Sequence, residues 1–152
     1  MTENIRKPPL SINVQYVKDL SFENPNSPKS LSAQPKQPNI NVDVNVYAKP
    51  LQDRIYEVCL SIKATAKNEA LLLFETEIVY CGVFTIDNDV DEKIMQTLVL
   101  IEAPSLLFPF ARAILAEITR DGGFMPLVLQ PIDFNILYQN RLKANSDTEG
   151  SA

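Results

Sequence analysis

Leu10, Ile12, Val14 and Tyr16 alternate with Ser11, Asn13 and Gln15, and a period of two predicts a strand with one buried face. The pattern returns more cleanly at Ile40, Val42, Val44 and Val46, which alternate with Asn41, Asp43 and Asn45. A third strand is predicted from about Ile55 to Ala66. There Tyr56, Val58, Leu60, Ile62 and Ala64 are apolar, and Glu57, Ser61 and Lys63 fall between them. The polar turn Lys67-Asn68-Glu69 leads into a fourth strand, about Ala70 to Ile86, as an antiparallel hairpin. That strand departs from simple alternation. Its even positions read Leu72, Phe74, Thr76, Ile78, Tyr80, Phe84 and its odd ones Leu71, Leu73, Glu75, Glu77, Val79, Cys81, Val83. Both faces are largely apolar, and an apolar second face needs a cover from the chain's own elements, another subunit or a ligand. With few helices available, self-association is the favoured reading.

After Ile86 the period changes to that of a helix. Asp87-Asn88-Asp89 supplies candidate N-caps, Asp89 with Glu92 resembles a capping box, and Val90, Ile94, Leu98 and Ile101 share one face. Pro104 is expected to stop this helix. A second is expected from about Ser105 to Arg120, closed by Gly122-Gly123, and a third from about Asp133 to Leu142, with an apolar extended segment, Phe124 to Pro131, between them. Residues 1–9 read as a flexible N-terminal segment, 10–142 as the domain, and 143–152 as a disordered polar tail. Seven of the 11 prolines lie in the first 50 residues. They favour extended segments there, and the stretch from Asn24 to Pro38 is long for a plain connection.

Composition removes chemistry rather than adding it. The 152 residues suit one domain, and they include no His and no Trp. Without imidazole there is no Ser-His-Asp or Cys-His arrangement and no His-ligated metal. Cys59 and Cys81 form no Cys-x-x-Cys pair and read as buried thiols, with a disulfide left open. Four glycines cannot build a phosphate-cradling loop or a dinucleotide fingerprint. The net charge of −5, with no basic cluster, argues against nucleic acid. Neither a signal peptide nor an apolar run of membrane-spanning length is expected, so the chain reads as soluble, with no membrane insertion. Glu75 and Glu77 share a strand face and are the only candidate acid–base pair, for an enzymatic or small-molecule-binding domain. Asp87-Asn88-Asp89-x-Asp91 lacks the glycine and terminal glutamate of a calcium loop and is better explained as helix capping. Taken together, these residues describe an acidic α+β domain with surplus apolar surface and no catalytic machinery, which is the profile of a binding protein.

Five segments, in order, resemble the SecB family of bacterial export chaperones. They are Lys18-Asp19-Leu20-Ser21-Phe22-Glu23-Asn24-Pro25 with Pro28, Tyr56-Glu57-Val58, Gly82-Val83-Phe84, Leu107-Phe108-Pro109-Phe110-Ala111-Arg112, and Phe124 with Pro126-Leu127 through Leu129, Pro131 and Ile132-Asp133-Phe134. The resemblance implies an α+β fold: a four-stranded antiparallel sheet with helices packed on one face, assembling as a dimer of dimers. Sheets and first helices would meet at the interfaces, for which Thr76, Ile78, Tyr80, Ile94 and Leu98 are the candidates. It implies an ATP-independent cytoplasmic holdase, without cofactor, metal or catalysis, that keeps precursor proteins unfolded and delivers them to the motor SecA. Candidate client-groove residues are Ile40, Val42, Val44, Phe110, Phe134, Leu137 and Tyr138. The acidic positions implied to hold the basic, zinc-bearing end of SecA match Asp19, Glu23 and Glu77, with Glu75 where the family often has an apolar residue. This acidic set argues against the remaining alternative, a SecB-like toxin–antitoxin chaperone. Family members often carry a Trp in the long loop, where this chain has Gln34-Pro35-Lys36-Gln37-Pro38.

Overall fold

The computed structural model describes residues 7–32 and 37–150. The first six residues, most of the Gln34–Pro38 stretch and the last two residues therefore lie outside the described residues. Four long strands, β1 (Leu10–Glu23), β2 (Asn39–Gln52), β3 (Ile55–Asn68) and β4 (Leu71–Ile86), form one antiparallel sheet in the order β1-β4-β3-β2. Both hairpins turn in two residues, with Arg54 (φ 61°) and Glu69 (φ 55°) in the left-handed region. The connection from β1 to β2 packs back on the sheet: Ser30 is buried, and Asn26 Nδ2 donates to the Leu72 carbonyl at 2.9 Å.

Register sorts the strand residues onto two faces. Val46 of β2, Val58, Leu60 and Ile62 of β3, and Ile78, Tyr80, Phe84 and Ile86 of β4 build the core on the helix-covered face. β1 does not keep a single buried face. Bulges at Asn13 and Lys18 each shift the pairing by one residue, and such a shift swaps the faces. Leu10 and Ile12 pair with core-facing residues of β4, whereas Val14 and Tyr16 pair with outward-facing Val83 and Cys81.

The helical third is more continuous than proline suggests. α1 (Glu92–Thr97) passes through a π-helical turn (Leu98–Glu102) directly into α2 (Ala103–Asp121). Pro104 does not stop the helix, because it directly follows the π-helical turn, where the Ala103 N–H reaches back five residues to the Leu98 carbonyl and the regular ladder that a proline would break is already interrupted. The N-cap is Asp91, whose carboxylate accepts from the Lys93 amide at 3.1 Å, and not Asp89. Glu92–Asp121 as a unit is long and apolar enough, by length and composition, to cross a membrane, unlike the interrupted runs expected from sequence. Here its apolar stripe lies on the sheet, with Leu107, Ala111 and Leu115 fully buried. Beyond it, the Thr119 hydroxyl donates to the Leu115 carbonyl and accepts the Leu127 amide, both at 2.9 Å, which anchors the extended segment. α3 spans Phe134–Gly150. It starts at Asp133, whose carboxylate accepts from the amides of Asn135 and Ile136, and it continues past Leu142 through most of the stretch expected to be a disordered tail.

These helices also answer what covers the even face of β4. Thr76 and Ile78 are wholly buried, and Tyr80 and Leu98 nearly so, within the chain's own core. The expectation that they form a subunit interface is therefore corrected, and of those five candidates only Ile94 is exposed. Cys59 and Cys81, read from sequence as buried thiols with a disulfide left open, are cross-strand partners 4.1 Å apart at Cα and form a disulfide.

Candidate functional site

The outer face of the sheet carries an acidic end. Glu23 of β1 pairs directly with Glu75 of β4, Ser21 pairs with Glu77, and Asp19 pairs with Val79. Neighbouring strands lie roughly 4.8 Å apart, so Asp19, Glu23, Glu75 and Glu77 are brought together, as the sequence suggests. Two charges that sequence reasoning missed belong to the same surface. Lys63 on β3 is opposite Glu77, and Asp43 on β2 is opposite Lys63. Lys63 Nζ is 3.1 Å from Glu75 Oε1. Its hydrogen bond to Glu75, reinforced by the charges of Glu75, Glu77 and Asp43, holds the ammonium above its ordinary pKa. Asp43 sits in the polar phase of the β2 alternation, so its face was readable. Its partners were not readable without the register.

Next to the acidic end, Glu57 ties β1 to β3 across β4. It accepts the Tyr16 hydroxyl and pairs with Lys18 at 3.2 Å. The Tyr16 bond is the main cause holding Glu57 below the usual carboxylate range. Burial, followed by the bond to Glu57, pushes Tyr16 up to about 12. Glu75 and Glu77, considered from sequence as an acid–base pair, lie on this open face with Glu75 engaged by Lys63. Among the described residues no group of three or more His, Cys, Asp or Glu is placed to hold a metal ion.

The other face carries a groove of about 390 Å³ between β2 and α3, in which Val46, Leu100, Leu137, Tyr138 and Leu142 are joined by polar Gln96, Arg141 and Asn145. Arg141 closes one side, with its Nη1 donating to the Val46 carbonyl at 2.6 Å and its Nη2 to Asn45 Oδ1 at 3.3 Å. Val46, Leu100 and Arg141 were not anticipated as groove residues. Of the predicted set, Phe134, Leu137 and Tyr138 line the groove. Phe134, 3% exposed, is mostly core and packs edge-on against Phe108. Ile40, Val42 and Val44 continue along the same face of β2. The two valines are half-buried against the core and Ile40 is exposed. Phe110 does not join them. It stacks on Tyr80 at 6.1 Å, and Gln15 of β1 also reaches Tyr80.

Comparison with known proteins agrees with this architecture. The family model described as preprotein translocase subunit SecB matches residues 3–145. A protein-export protein SecB of Rhodopseudomonas palustris strain BisA53 is 53% identical over 135 residues, covering 89% of this chain and 83% of that one. One from Azorhizobium caulinodans is 48% identical over 148 residues, covering 95% and 92%. Among solved structures, a SecB-like chaperone of Mycobacterium tuberculosis in complex with a ChAD peptide from the HigA1 antitoxin superposes with a TM-score of 0.66. It is 13% identical and covers 81% of this chain and 90% of that one, so the likeness is one of fold. The five sequence segments, the sheet order and these matches agree: the chain belongs to the SecB family of protein-export chaperones.

Proposed function

We propose that this protein is an ATP-independent holdase that keeps precursor proteins unfolded in the cytoplasm and hands them to the translocase motor SecA. Its chaperone role in protein export follows from family membership. The finer reading rests on one observation: a single sheet separates an open face with an acidic end from a groove that offers apolar side chains (Val46, Leu100, Leu137, Tyr138, Leu142) among polar ones. The groove suits the apolar side chains that unfolded chains share, and it reads no particular sequence. The acidic face suits a basic partner, whose encounter is accelerated by complementary charge and slowed by salt. Neither surface needs a cofactor or a catalytic group.

The working unit is proposed to be a homotetramer, a dimer of dimers. Ile12, Val17 and Leu20 of β1, Phe110 of α2 and Ile94 of α1 are exposed apolar side chains on the helix-bearing side, and an isolated chain would leave them in water. The test separates the two surfaces. Glu77→Lys is expected to weaken SecA binding and spare suppression of precursor aggregation, and Tyr138→Glu to do the reverse. Equal loss of both activities in Glu77→Lys would remove the docking assignment.

A further inference from the structure

The carboxylates of the outer face flank a cation of the chain itself. Lys63 is opposite both Glu77 and Asp43, and its ammonium reaches Glu75 one row along the sheet. The nearby lysines are placed differently: Lys18 is held by Glu57, and Lys67 stands opposite Asn39 and Leu72. The Lys63 and Glu75 side chains are 47% and 33% exposed, so the pair faces solvent where a partner would arrive.

We propose that Lys63 is a built-in competitor for the acidic face, occupying the position that a lysine or arginine of a basic partner takes on binding. This rests on the docking role proposed above for that face. An exposed pair of this kind is weak, and the four-carbon stem of lysine lets the ammonium swing away without disturbing the strand. Lys63 therefore sets a threshold and does not block the site. A single incoming ammonium exchanges one cation for an equivalent one. A segment presenting several cations, or a guanidinium that grips Glu75 with two bonds, displaces Lys63 and still engages Glu77 and Asp43. The residue thus selects polycationic partners over isolated basic groups.

The test is calorimetric binding of a short Lys- and Arg-rich peptide to the full chain and to its Lys63→Met, Glu75→Gln and double variants, at low and high ionic strength. Lys63→Met keeps the aliphatic stem and removes the charge. It is expected to tighten binding about three- to tenfold at low salt, a gain that shrinks as salt screens the face. The same substitution in the Glu75→Gln background is expected to gain less, because the displaced contact is already gone. Peptide binding that Lys63→Met leaves unchanged or weakens overturns the competitor role while the docking reading stands. No binding of the peptide by the unaltered protein at low salt overturns the docking reading itself.

Discussion

Glu57 is the side chain whose environment is most informative. It holds two partners from β1 while sitting on β3, so the outer edge of the sheet is clamped over β4 by one carboxylate. Its pKa is lowered from 4.5 by the Tyr16 bond, so its stabilising effect is present above the ordinary carboxylate value and disappears as pH falls through the lowered one. Tyr16 behaves in the opposite sense. Its pKa rises from 10.0 to about 12, so its contribution is complete below 10.0 and is lost as pH climbs toward 12. Denaturant titrations across pH should therefore show Glu57→Gln with a flatter acid limb than the unaltered protein. Tyr16→Phe should flatten both limbs. Superimposable pH profiles would contradict the coupling.

At the scale of elements, α2 on β4 carries the core, and its fit depends on Gly82. A Cβ at that position would lie 2.8 Å from Phe84 Cε2 and 3.1 Å from Leu107 Cδ2, both on fully buried side chains. Gly82→Ala is expected to destabilise the fold by about 1–3 kcal/mol through overpacking. Leu115→Ala, which empties a fully buried site on the same helix, is expected to cost about 2–5 kcal/mol. Chemical denaturation measures both, and a change below 0.5 kcal/mol in either would place the core elsewhere.

The four strands were legible because alternation is a local property, and the outcome in β1 shows where that reasoning stops. A bulge leaves the alternation intact on either side of itself and reverses which side is buried, so the outward turn of Val14 and Tyr16 left no mark in the pattern. The second bulge, at Lys18, reverses it again. Asp19 and Glu23 thereby return to the face of Glu75 and Glu77, where the family resemblance implied them, although alternation alone did not reveal the middle of the strand. Lys63 opposite Asp43, and Cys59 opposite Cys81, depend on register between strands, which no single segment encodes. The helix through Pro104 was missed for another reason: a π-helical turn interrupts the regular ladder just ahead of the proline, and periodicity alone does not reveal such a turn.

For the whole molecule, the sheet divides the labour. One face is open and carries the acidic end. The other is packed by helices, with a groove between β2 and α3 and an exposed apolar side along β1, where Ile12, Val17 and Leu20 remain 39–45% exposed. A net charge of −5 favours solubility of the proposed assembly, and the apolar side of β1 gives it a reason to form. Native mass spectrometry is expected to find four chains per particle, and a monomer at micromolar concentration would contradict the tetramer. The proposed assembly is expected to hold unfolded chains without turnover of any nucleotide. Light scattering from a precursor diluted out of denaturant tests it most directly. Scattering is expected to fall as the protein approaches equivalence with the precursor, identically with and without ATP. Scattering that stays undiminished at every ratio would contradict it.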